Sequence, residues 1–281
     1  MFVVTGATGN VGRPLVELLA AAGVPVTAVS RRITTAALPA GVHARPADLA
    51  DPASLRPALD GAEALFLHDT GPGAHLLRTT ELVALAKAAG IRRIVLLSSQ
   101  GVATRPESAS HGGTGRAIDE AVRRSGVAWT VLRPSGFASN AYGWAESVRT
   151  RRTVEAPFGD VGLPTVDPAD IAEVAAAALR TDEHVGRTYE LTGPALVTPR
   201  QQAAALGAAL GEPVRFVELT RAEARAHLLH VMPEPVVETT LGILGEPTPA
   251  EQRISPIVEQ VLGRPPRSFG DWAERSVAAF R

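Results

Sequence analysis

Three glycines near the start of the chain constrain its fold more than any other feature. The first twelve residues read Met-Phe-Val-Val-Thr-Gly-Ala-Thr-Gly-Asn-Val-Gly, an apolar run followed by glycines three positions apart. At a strand–turn–helix junction, the first glycine permits a tight turn, the second lets the backbone approach a pyrophosphate, and the third lets helix and strand pack closely. The helix N-terminus then presents unpaired N–H groups to the anion. The sequence therefore predicts a dinucleotide site formed by Gly6, Thr8, Gly9, Asn10, Val11 and Gly12.

Strand and helix patterns alternate along the first half of the chain. Short apolar runs predict strands at 2–4, 24–29, 41–45, 64–67, 94–97 and 127–132, and helical patterns lie between them at 15–22, 52–59, 74–89 and 115–125. Continuous apolar strands separated by helices are typical of a parallel sheet covered on both faces. The predicted fold class is therefore α/β, with a doubly wound, mostly parallel Rossmann sheet and a smaller, mainly helical C-terminal substrate lobe.

The composition of the sequence changes after Arg133, where prolines and glycines become frequent. We predict a nucleotide-binding core over residues 1–134 and a substrate-covering lobe over 135–281, with residues 165–193 returning to the core. Within residues 165–193, a strand over residues 188–191 is predicted to join the sheet of the core. Capping patterns predict helix starts at Asp167-Pro168 and at the capping boxes 198–201 and 220–223, and a last helix is predicted to start at Gly270.

Charge and composition exclude several classes of protein. A net charge of −1 argues against a general attraction to nucleic acid or to an anionic membrane. No run of about 18 apolar residues predicts a transmembrane helix, and a chain that enters a strand at once leaves no room for a signal peptide. Without cysteine there are no disulfides or thiolate metal sites, and no His-Glu-x-x-His motif occurs. We expect a cytoplasmic protein without a metal.

The residues after the second predicted strand bear on which dinucleotide is bound. NAD-preferring sites usually place an acidic residue there, whereas this chain has Arg31 and Arg32, whose guanidinium groups suit a 2′-phosphate. The alternative is a solvated loop, but the missing acid and the added base both favour NADP(H). Asp48 and Leu49, after the third strand, are predicted to hold the adenine. Asp48 as a turn or N-cap residue is the equally open alternative.

Motifs along nearly the whole chain resemble one family. They are 5–12 (Thr-Gly-Ala-Thr-Gly-Asn-Val-Gly), the serine pair at 98–99, 125–134 (Ser-Gly-Val-Ala-Trp-Thr-Val-Leu-Arg-Pro), 167–172 and 191–194. In this order they are similar to the NmrA-like group of atypical short-chain dehydrogenases/reductases. The resemblance implies a Rossmann fold, an NADP(H) site and a cleft roofed by the C-terminal lobe. The group includes quinone and dye reductases, phenylpropanoid reductases, and regulators that bind the dinucleotide without turnover.

The chain departs from the wider superfamily at the usual proton donor. Related reductases use a Tyr-x-x-x-Lys pair, whereas the corresponding stretch here reads His111-Gly-Gly-Thr-Gly-Arg116. Gly112 falls at the tyrosine position and has no proton to give. Arg116, near the lysine position, stays charged and is predicted to hold the ribose or a phosphate of the cofactor. Carbonyl reduction by the usual route is therefore not supported.

Four other side chains are candidates for the reacting end of the site. His68 ends the fourth predicted strand, at the carboxyl edge where ligands of doubly wound folds bind, and His111 lies in the glycine-rich loop. Ser98 is positioned to hydrogen-bond a substrate oxygen, or alternatively to complete a strand-end turn. Tyr142 follows the sixth strand and is a candidate phenol donor.

The sequence supports three functional hypotheses. The first is an NADPH-dependent reductase that transfers hydride to a quinone-like or conjugated aromatic compound, because such acceptors form stabilised anions that water can protonate. The second is a redox sensor that binds NADP(H) without turnover, and the third is a tailoring enzyme with auxiliary NADP(H). The expected partner is a flat, aromatic small molecule rather than a nucleic acid or membrane, and monomer and homodimer are both open.

Overall fold

The structure, a computed structural model, describes residues 1–68 and 77–281, apart from the side chains at positions 37, 109, 111 and 114. The chain divides into two units. Unit 1 consists of residues 1–103, 112–134 and 169–190, and unit 2 consists of residues 104–111, 135–168 and 191–281. The chain therefore passes into unit 2 three times, first in the short stretch 104–111.

Unit 1 is built on a seven-stranded sheet. Its strands are β1 (Phe2–Thr5), β2 (Val26–Ser30), β3 (His43–Pro46), β4 (Ala64–His68), β5 (Arg93–Leu97), β6 (Ala128–Pro134) and β8 (Arg187–Leu191). Their order in the sheet is β3-β2-β1-β4-β5-β6-β8. All five pairings among β1 to β6 are parallel. Because β1 has β2 on one side and β4 on the other, the strand order reverses at β1. Ligands of doubly wound sheets bind beside such a reversal.

The helices follow the alternation that the sequence predicts. In chain order they are α1 (Gly12–Ala21), α2 (Arg56–Leu59), α3 (Thr79–Ala88), α4 (Gly101–Thr104), α5 (Thr114–Arg124), α6 (Ala145–Arg151), α7 (Pro168–Arg180), α8 (Pro199–Leu210), α9 (Arg221–Leu229), α10 (Glu234–Gly245), α11 (Ile257–Leu262) and α12 (Phe269–Ser276). Short 3₁₀ turns occur at Thr35–Ala37, Pro52–Leu55, Ala138–Trp144, Asp182–His184 and Val277–Phe280, and a π turn at Ala109–Gly113. The helix predicted from residue 74 is observed from Thr79, and its predicted first residues lie outside the described part of the chain.

The core of unit 1 explains why its strands are continuously apolar. Val3, Leu65 and Ile94 are buried in one cluster with apolar residues of α3 and α5. Their neighbours Val4 and Phe66 point to the opposite face, because successive side chains of a strand alternate, and they are also buried. Both faces of the sheet are therefore covered, which confirms the predicted doubly wound α/β fold.

Unit 2 contains a second sheet that the sequence analysis missed. Strands β7 (Thr153–Pro157) and β9 (Arg215–Leu219) pair in parallel, while helices α6 and α8 to α12 make this part of the chain mainly helical, as predicted. Each strand has only five residues and contains charged side chains. Neither therefore shows the apolar run that predicts a buried strand, and their pairing depends on packing against other parts of unit 2.

Local capping in unit 2 follows the sequence closely. The capping boxes predicted at Thr198 and Thr220 are both present, with the side chain of each threonine accepting from the backbone N–H three residues later. The last helix begins one residue earlier than predicted, at Phe269. A third capping box, formed by Ser268 and Asp271, fixes its start.

Two further findings apply to the described residues. None of their helices combines the length and the apolar character needed to cross a membrane. No cluster of three or more histidine, aspartate or glutamate side chains among residues 1–68 and 77–281 is arranged to hold a metal ion.

Candidate functional site

The glycine-rich turn after β1 is a tight backbone structure. Gly6 has φ +62°, in the left-handed region that favours glycine. The N–H of Gly9 donates to the Gly6 carbonyl at 2.9 Å, and the N–H of Ala7 donates to Val29 of β2 at 3.0 Å. A Cβ at Gly12 would lie 2.1 Å from the Gly6 carbonyl oxygen, so no side chain fits there. The third glycine therefore allows the start of α1 to contact the turn directly.

The start of α1 has features of an anion site. Its N-cap residue, Val11, makes no side-chain capping bond, and the first turn contains no acidic residue. A helix N-terminus without such groups keeps its positive end for an external anion. The closely packed glycine turn and the uncapped helix fit the pyrophosphate of a dinucleotide. The backbone and side chains predicted to hold it are those of Gly6, Thr8, Gly9, Asn10, Val11 and Gly12.

The end of β2 lies against the same turn. The hydroxyls of Thr8 and Ser30 are 3.0 Å apart, a hydrogen bond that links the glycine turn to β2. Arg31 and Arg32 follow directly, and both are exposed. Among the described residues neither guanidinium forms a salt bridge, so both are accessible to a phosphate. Sequence reasoning missed Ser30, although a polar residue at the carboxyl end of a strand was a usable signal.

Asp48 and Leu49 differ in their surroundings. The Asp48 carboxylate accepts from the backbone N–H of Ala50 at 3.0 Å, and its own N–H donates to the Ser54 hydroxyl at 3.0 Å. Asp48 therefore forms a turn, which was one of its two predicted roles. Leu49 is buried in the core cluster of unit 1. Contact of either residue with adenine stays a prediction.

His68 lies against the glycine turn. A Cβ added at Gly6 would be 2.6 Å from the His68 Nε2 atom and 2.8 Å from its Cδ2 atom. The imidazole thus occupies the space beside Gly6, which gives this position a second reason to be glycine. His68 is also in register with Leu97 of β5, so it shares the carboxyl edge of the sheet with the residues that follow β5.

The serine pair after β5 separates into two roles. The hydroxyl of Ser99 accepts from the backbone N–H of Gly101 at 3.1 Å and so completes a strand-end turn. Ser98 is 4% exposed, and its hydroxyl has no hydrogen-bond partner within the described part of the protein. Buried hydroxyls almost always have a partner. The unpaired Ser98 hydroxyl is therefore a candidate contact for a bound ligand.

The stretch predicted to correspond to the Tyr-x-x-x-Lys pair is divided along the chain between the two units. Residues 109–113 form the π turn, His111 is assigned to unit 2, and Gly112 is buried and belongs to unit 1. The His111 side chain lies outside the described atoms, so its predicted role stays untested. Arg116 is exposed on the first turn of α5, and its contact with the cofactor also stays a prediction.

Tyr142 belongs to unit 2 and lies in an aromatic cluster. Its ring stacks on Phe280 with centroids 6.0 Å apart and meets the edge of Trp272 at 5.1 Å. Its hydroxyl is 3.2 Å from the hydroxyl of Ser276, and the side chain is 40% exposed. The phenol is thus held in one place but remains accessible. Its predicted role as a proton donor stays a prediction.

The chain was compared with known proteins. Residues 6–182 match a protein family described as NAD(P)H-binding. Over 282 residues the chain is 39% identical to the (4-alkanoyl-5-oxo-2,5-dihydrofuran-3-yl)methyl phosphate reductase of Streptomyces griseus, covering 100% of this chain and 99% of the relative. It is 32% identical to the NAD(P)H azoreductase of Xenophilus azovorans, again covering 100% of this chain and 99% of the relative.

Solved structures agree with this assignment. The NADPH-dependent quinone oxidoreductase QOR2 of Escherichia coli, solved with NADPH, superimposes with a TM-score of 0.80 at 26% identity, covering 98% of this chain and 99% of the other. NmrA, a negative transcriptional regulator, shares the fold with a TM-score of 0.74 at 18% identity, covering 99% of this chain and 95% of the other. The chain therefore belongs to the NAD(P)H-binding family of Rossmann-fold proteins.

Proposed function

We propose that this chain is an NADPH-dependent reductase that transfers hydride to a quinone-like or otherwise conjugated small molecule. The observation that carries the proposal is Gly112. By the resemblance it stands at the tyrosine position of the superfamily, and two of the full-length relatives of this chain are reductases. The site thus has a place for the hydride donor and lacks the usual acid for an isolated carbonyl.

The acceptors of the relatives share one chemical property. The Streptomyces griseus substrate is a butenolide whose ring double bond is conjugated with two carbonyl groups, and the other two proteins reduce azo compounds and quinones. Addition of hydride to any of these groups leaves a negative charge that is delocalised over oxygen or nitrogen. Such an anion takes its proton from water afterwards, so positioning and hydrogen bonding supply much of the acceleration. A glycine at position 112 is compatible with this chemistry.

Residues of this chain have distinct roles in the proposed reaction. Bound NADPH supplies the hydride. The glycine turn and the start of α1 hold the pyrophosphate, while Arg31 and Arg32 bind the 2′-phosphate and Arg116 a ribose or phosphate group. His68 supports the turn through its contact with Gly6. The Ser98 hydroxyl donates a hydrogen bond to the developing anion and keeps its proton. His111 and Tyr142 are the candidate side chains that would supply the proton taken up by this anion in place of water.

Other expectations from the sequence stay proposals. They are the substrate-covering role of the C-terminal lobe, a cytoplasmic location and the absence of nucleic-acid and membrane partners. The oligomeric state is open between monomer and homodimer.

An acceptor panel tests the proposed function directly. Purified protein is mixed anaerobically with NADPH and, separately, with 1,4-naphthoquinone, an azo dye, a 3-acyl butenolide and a simple aliphatic ketone. We expect NADPH absorbance at 340 nm to fall with at least one of the first three and to stay constant with the ketone. Tight NADPH binding with no oxidation by any acceptor would contradict the reductase and favour the redox-sensor hypothesis.

Ser98→Ala tests the predicted contact with the acceptor. Because the Ser98 hydroxyl has no protein partner, its removal should leave the melting temperature unchanged or slightly higher, while kcat falls about tenfold, the value of one lost hydrogen bond. Ser99→Ala is the matched control, because it removes a turn hydrogen bond and should lower stability by about 1 kcal/mol while keeping kcat. Equal kcat for wild type and Ser98→Ala would remove Ser98 from the mechanism.

A further inference from the structure

The first passage of the chain through unit 2 is firmly attached there. We call residues 104–111 the tethered segment. Within this segment the Arg105 guanidinium forms a bidentate hydrogen-bonded pair with the Glu251 carboxylate. Nε donates to Oε1 at 2.7 Å, and Nη2 donates to Oε2 at 2.8 Å. These residues are 146 positions apart in sequence. Planar, paired hydrogen bonds of this kind fix orientation as well as distance.

Arg105 also contacts the end of α10. Its Nη2 donates to the carbonyl of Glu246 at 3.0 Å and, more weakly, to that of Gly242 at 3.5 Å. The carbonyls at the end of a helix carry the negative end of its dipole, and the Gly242 carbonyl also accepts from the N–H of Glu246 at 2.9 Å. A cationic guanidinium is therefore well suited to this position. One side chain thus joins the tethered segment to both Glu251 and the C-terminal end of α10.

Hydroxyl groups attach the rest of the tethered segment further along α10. The Ser108 hydroxyl is 3.0 Å from that of Thr239, and the Ser110 hydroxyl donates to Thr239 at 3.2 Å. Ser110 also donates to the Pro235 carbonyl at 3.4 Å. From Arg105 to Ser110 the segment therefore runs from the C-terminal end of α10 toward its start. The segment lies along the helix at several points rather than at one.

Glu251 is an effective anchor because it stays ionised. The carboxylate is 3% exposed. Burial by itself raises the pKa of Glu251, but hydrogen bonds from Arg105, the Thr248 backbone and Thr104 outweigh it, and the pKa lies below its ordinary value. A buried carboxylate that remains charged requires its cationic partner. The Arg105–Glu251 pair therefore resists separation.

The tethered segment leads directly into the stretch that replaces the superfamily's proton donor. His111 is its last residue, and Gly112 and Gly113 follow without side chains that could hold the backbone. Glycines lose the most conformational freedom when they are ordered. The placement of the His111 backbone thus depends on attachment of the residues before it, which belong to unit 2 as His111 does.

We infer that Arg105, paired with Glu251, is a positioning residue for the acceptor: it fixes the tethered segment and thereby the backbone at His111, the last residue of that segment. The inference rests on the proposed reductase function. It assigns Arg105 no contact with the acceptor or the cofactor. The residue acts through the backbone that follows it, so its loss should weaken use of the acceptor and leave dinucleotide binding intact.

Steady-state kinetics of Arg105→Lys and Arg105→Ala test the inference. The measured quantities are KM and kcat for whichever acceptor of the panel the wild type reduces, and the Kd for NADPH from its fluorescence. Lysine keeps the positive charge but cannot form the bidentate pair of hydrogen bonds with Glu251. We expect the acceptor KM to rise tenfold or more in Arg105→Ala and at least threefold in Arg105→Lys, with the Kd for NADPH within twofold of wild type.

Arg225→Ala is the matched control. Arg225, on α9, forms ion pairs with Glu234 and Glu238 of α10. The Arg225→Ala substitution should change none of these quantities by more than twofold. Folded Arg105 variants with a wild-type acceptor KM would overturn the inference. So would equal effects in Arg225→Ala, a parallel loss of NADPH affinity, or failure of both Arg105 variants to fold. Absence of turnover in the wild type would instead remove the proposed function, and the inference with it.

Discussion

Gly12→Ala should weaken dinucleotide binding by about a hundredfold or more. The new Cβ would lie 2.1 Å from the Gly6 carbonyl oxygen and 2.7 Å from its carbonyl carbon, and both atoms belong to the backbone. Rotation of a side chain cannot relieve such a contact, so α1 and the glycine turn must separate. Loss of two charge-assisted hydrogen bonds to the pyrophosphate costs about 3 kcal/mol or more, which corresponds to a hundredfold or greater loss of affinity. The measurement is NADPH titration by fluorescence, together with thermal unfolding by circular dichroism.

Two other glycines control this experiment. Gly136 has no neighbouring atom within 4 Å of an added Cβ and no positive φ, so Gly136→Ala should retain wild-type affinity. Gly9→Ala should be intermediate, because its Cβ would lie 3.2 Å from the Gly6 carbonyl oxygen. If Gly12→Ala bound NADPH within threefold of wild type, the pyrophosphate would not be held by this turn.

Arg31→Asp should greatly reduce the preference of the protein for NADPH over NADH. We expect wild-type protein to bind NADPH more tightly than NADH. Arg31 and Arg32 are exposed after β2, and no acidic residue at the end of β2 can accept a hydrogen bond from the ribose 2′-hydroxyl of NADH. A hydrogen bond to a charged group is worth about 1.5–3 kcal/mol, so the NADPH/NADH affinity ratio should fall by about ten- to a hundredfold. Parallel titrations of both dinucleotides give the ratio.

Arg56→Asp makes the same charge change elsewhere on unit 1 and is the matched control. It should leave the ratio unchanged, since residue 56 begins α2 and does not follow β2. Arg32→Asp shows whether the two arginines share the phosphate. An Arg31→Asp protein with the wild-type ratio would contradict the assignment of Arg31 to the 2′-phosphate, whatever its effect on overall affinity.

Much of the unit 1 fold could be predicted because its signals are local. The glycine spacing at 6, 9 and 12 and the apolar runs of the strands each depend on a few neighbouring residues, and so do the threonine caps of unit 2. Strands β1 to β6 accordingly appear within about two residues of their predicted positions. β7 and β9 were not predicted, because their short, partly charged sequences become strands only when they pair with each other.

In the candidate site, too, the sequence predicted what depends on neighbouring residues and did not predict contacts between distant ones. The sequence predicted which residues end the strands at the carboxyl edge, and with them His68, Ser98 and the arginines after β2. It did not predict that the His68 ring lies against Gly6, that the Ser98 hydroxyl is left without a partner, or that Ser30 joins Thr8. These facts depend on the distance between side chains on different strands, which the register of the sheet determines.

The sequence by itself determined the type of fold, the place of the dinucleotide turn and the absence of the Tyr-x-x-x-Lys pair. Each of these is a property of residue identity and short-range spacing. Only the tertiary structure decided which distant groups meet, as Arg105 meets Glu251. Such contacts arise when whole helices and strands pack to bury their apolar faces, and the pattern of residues near either partner does not encode them.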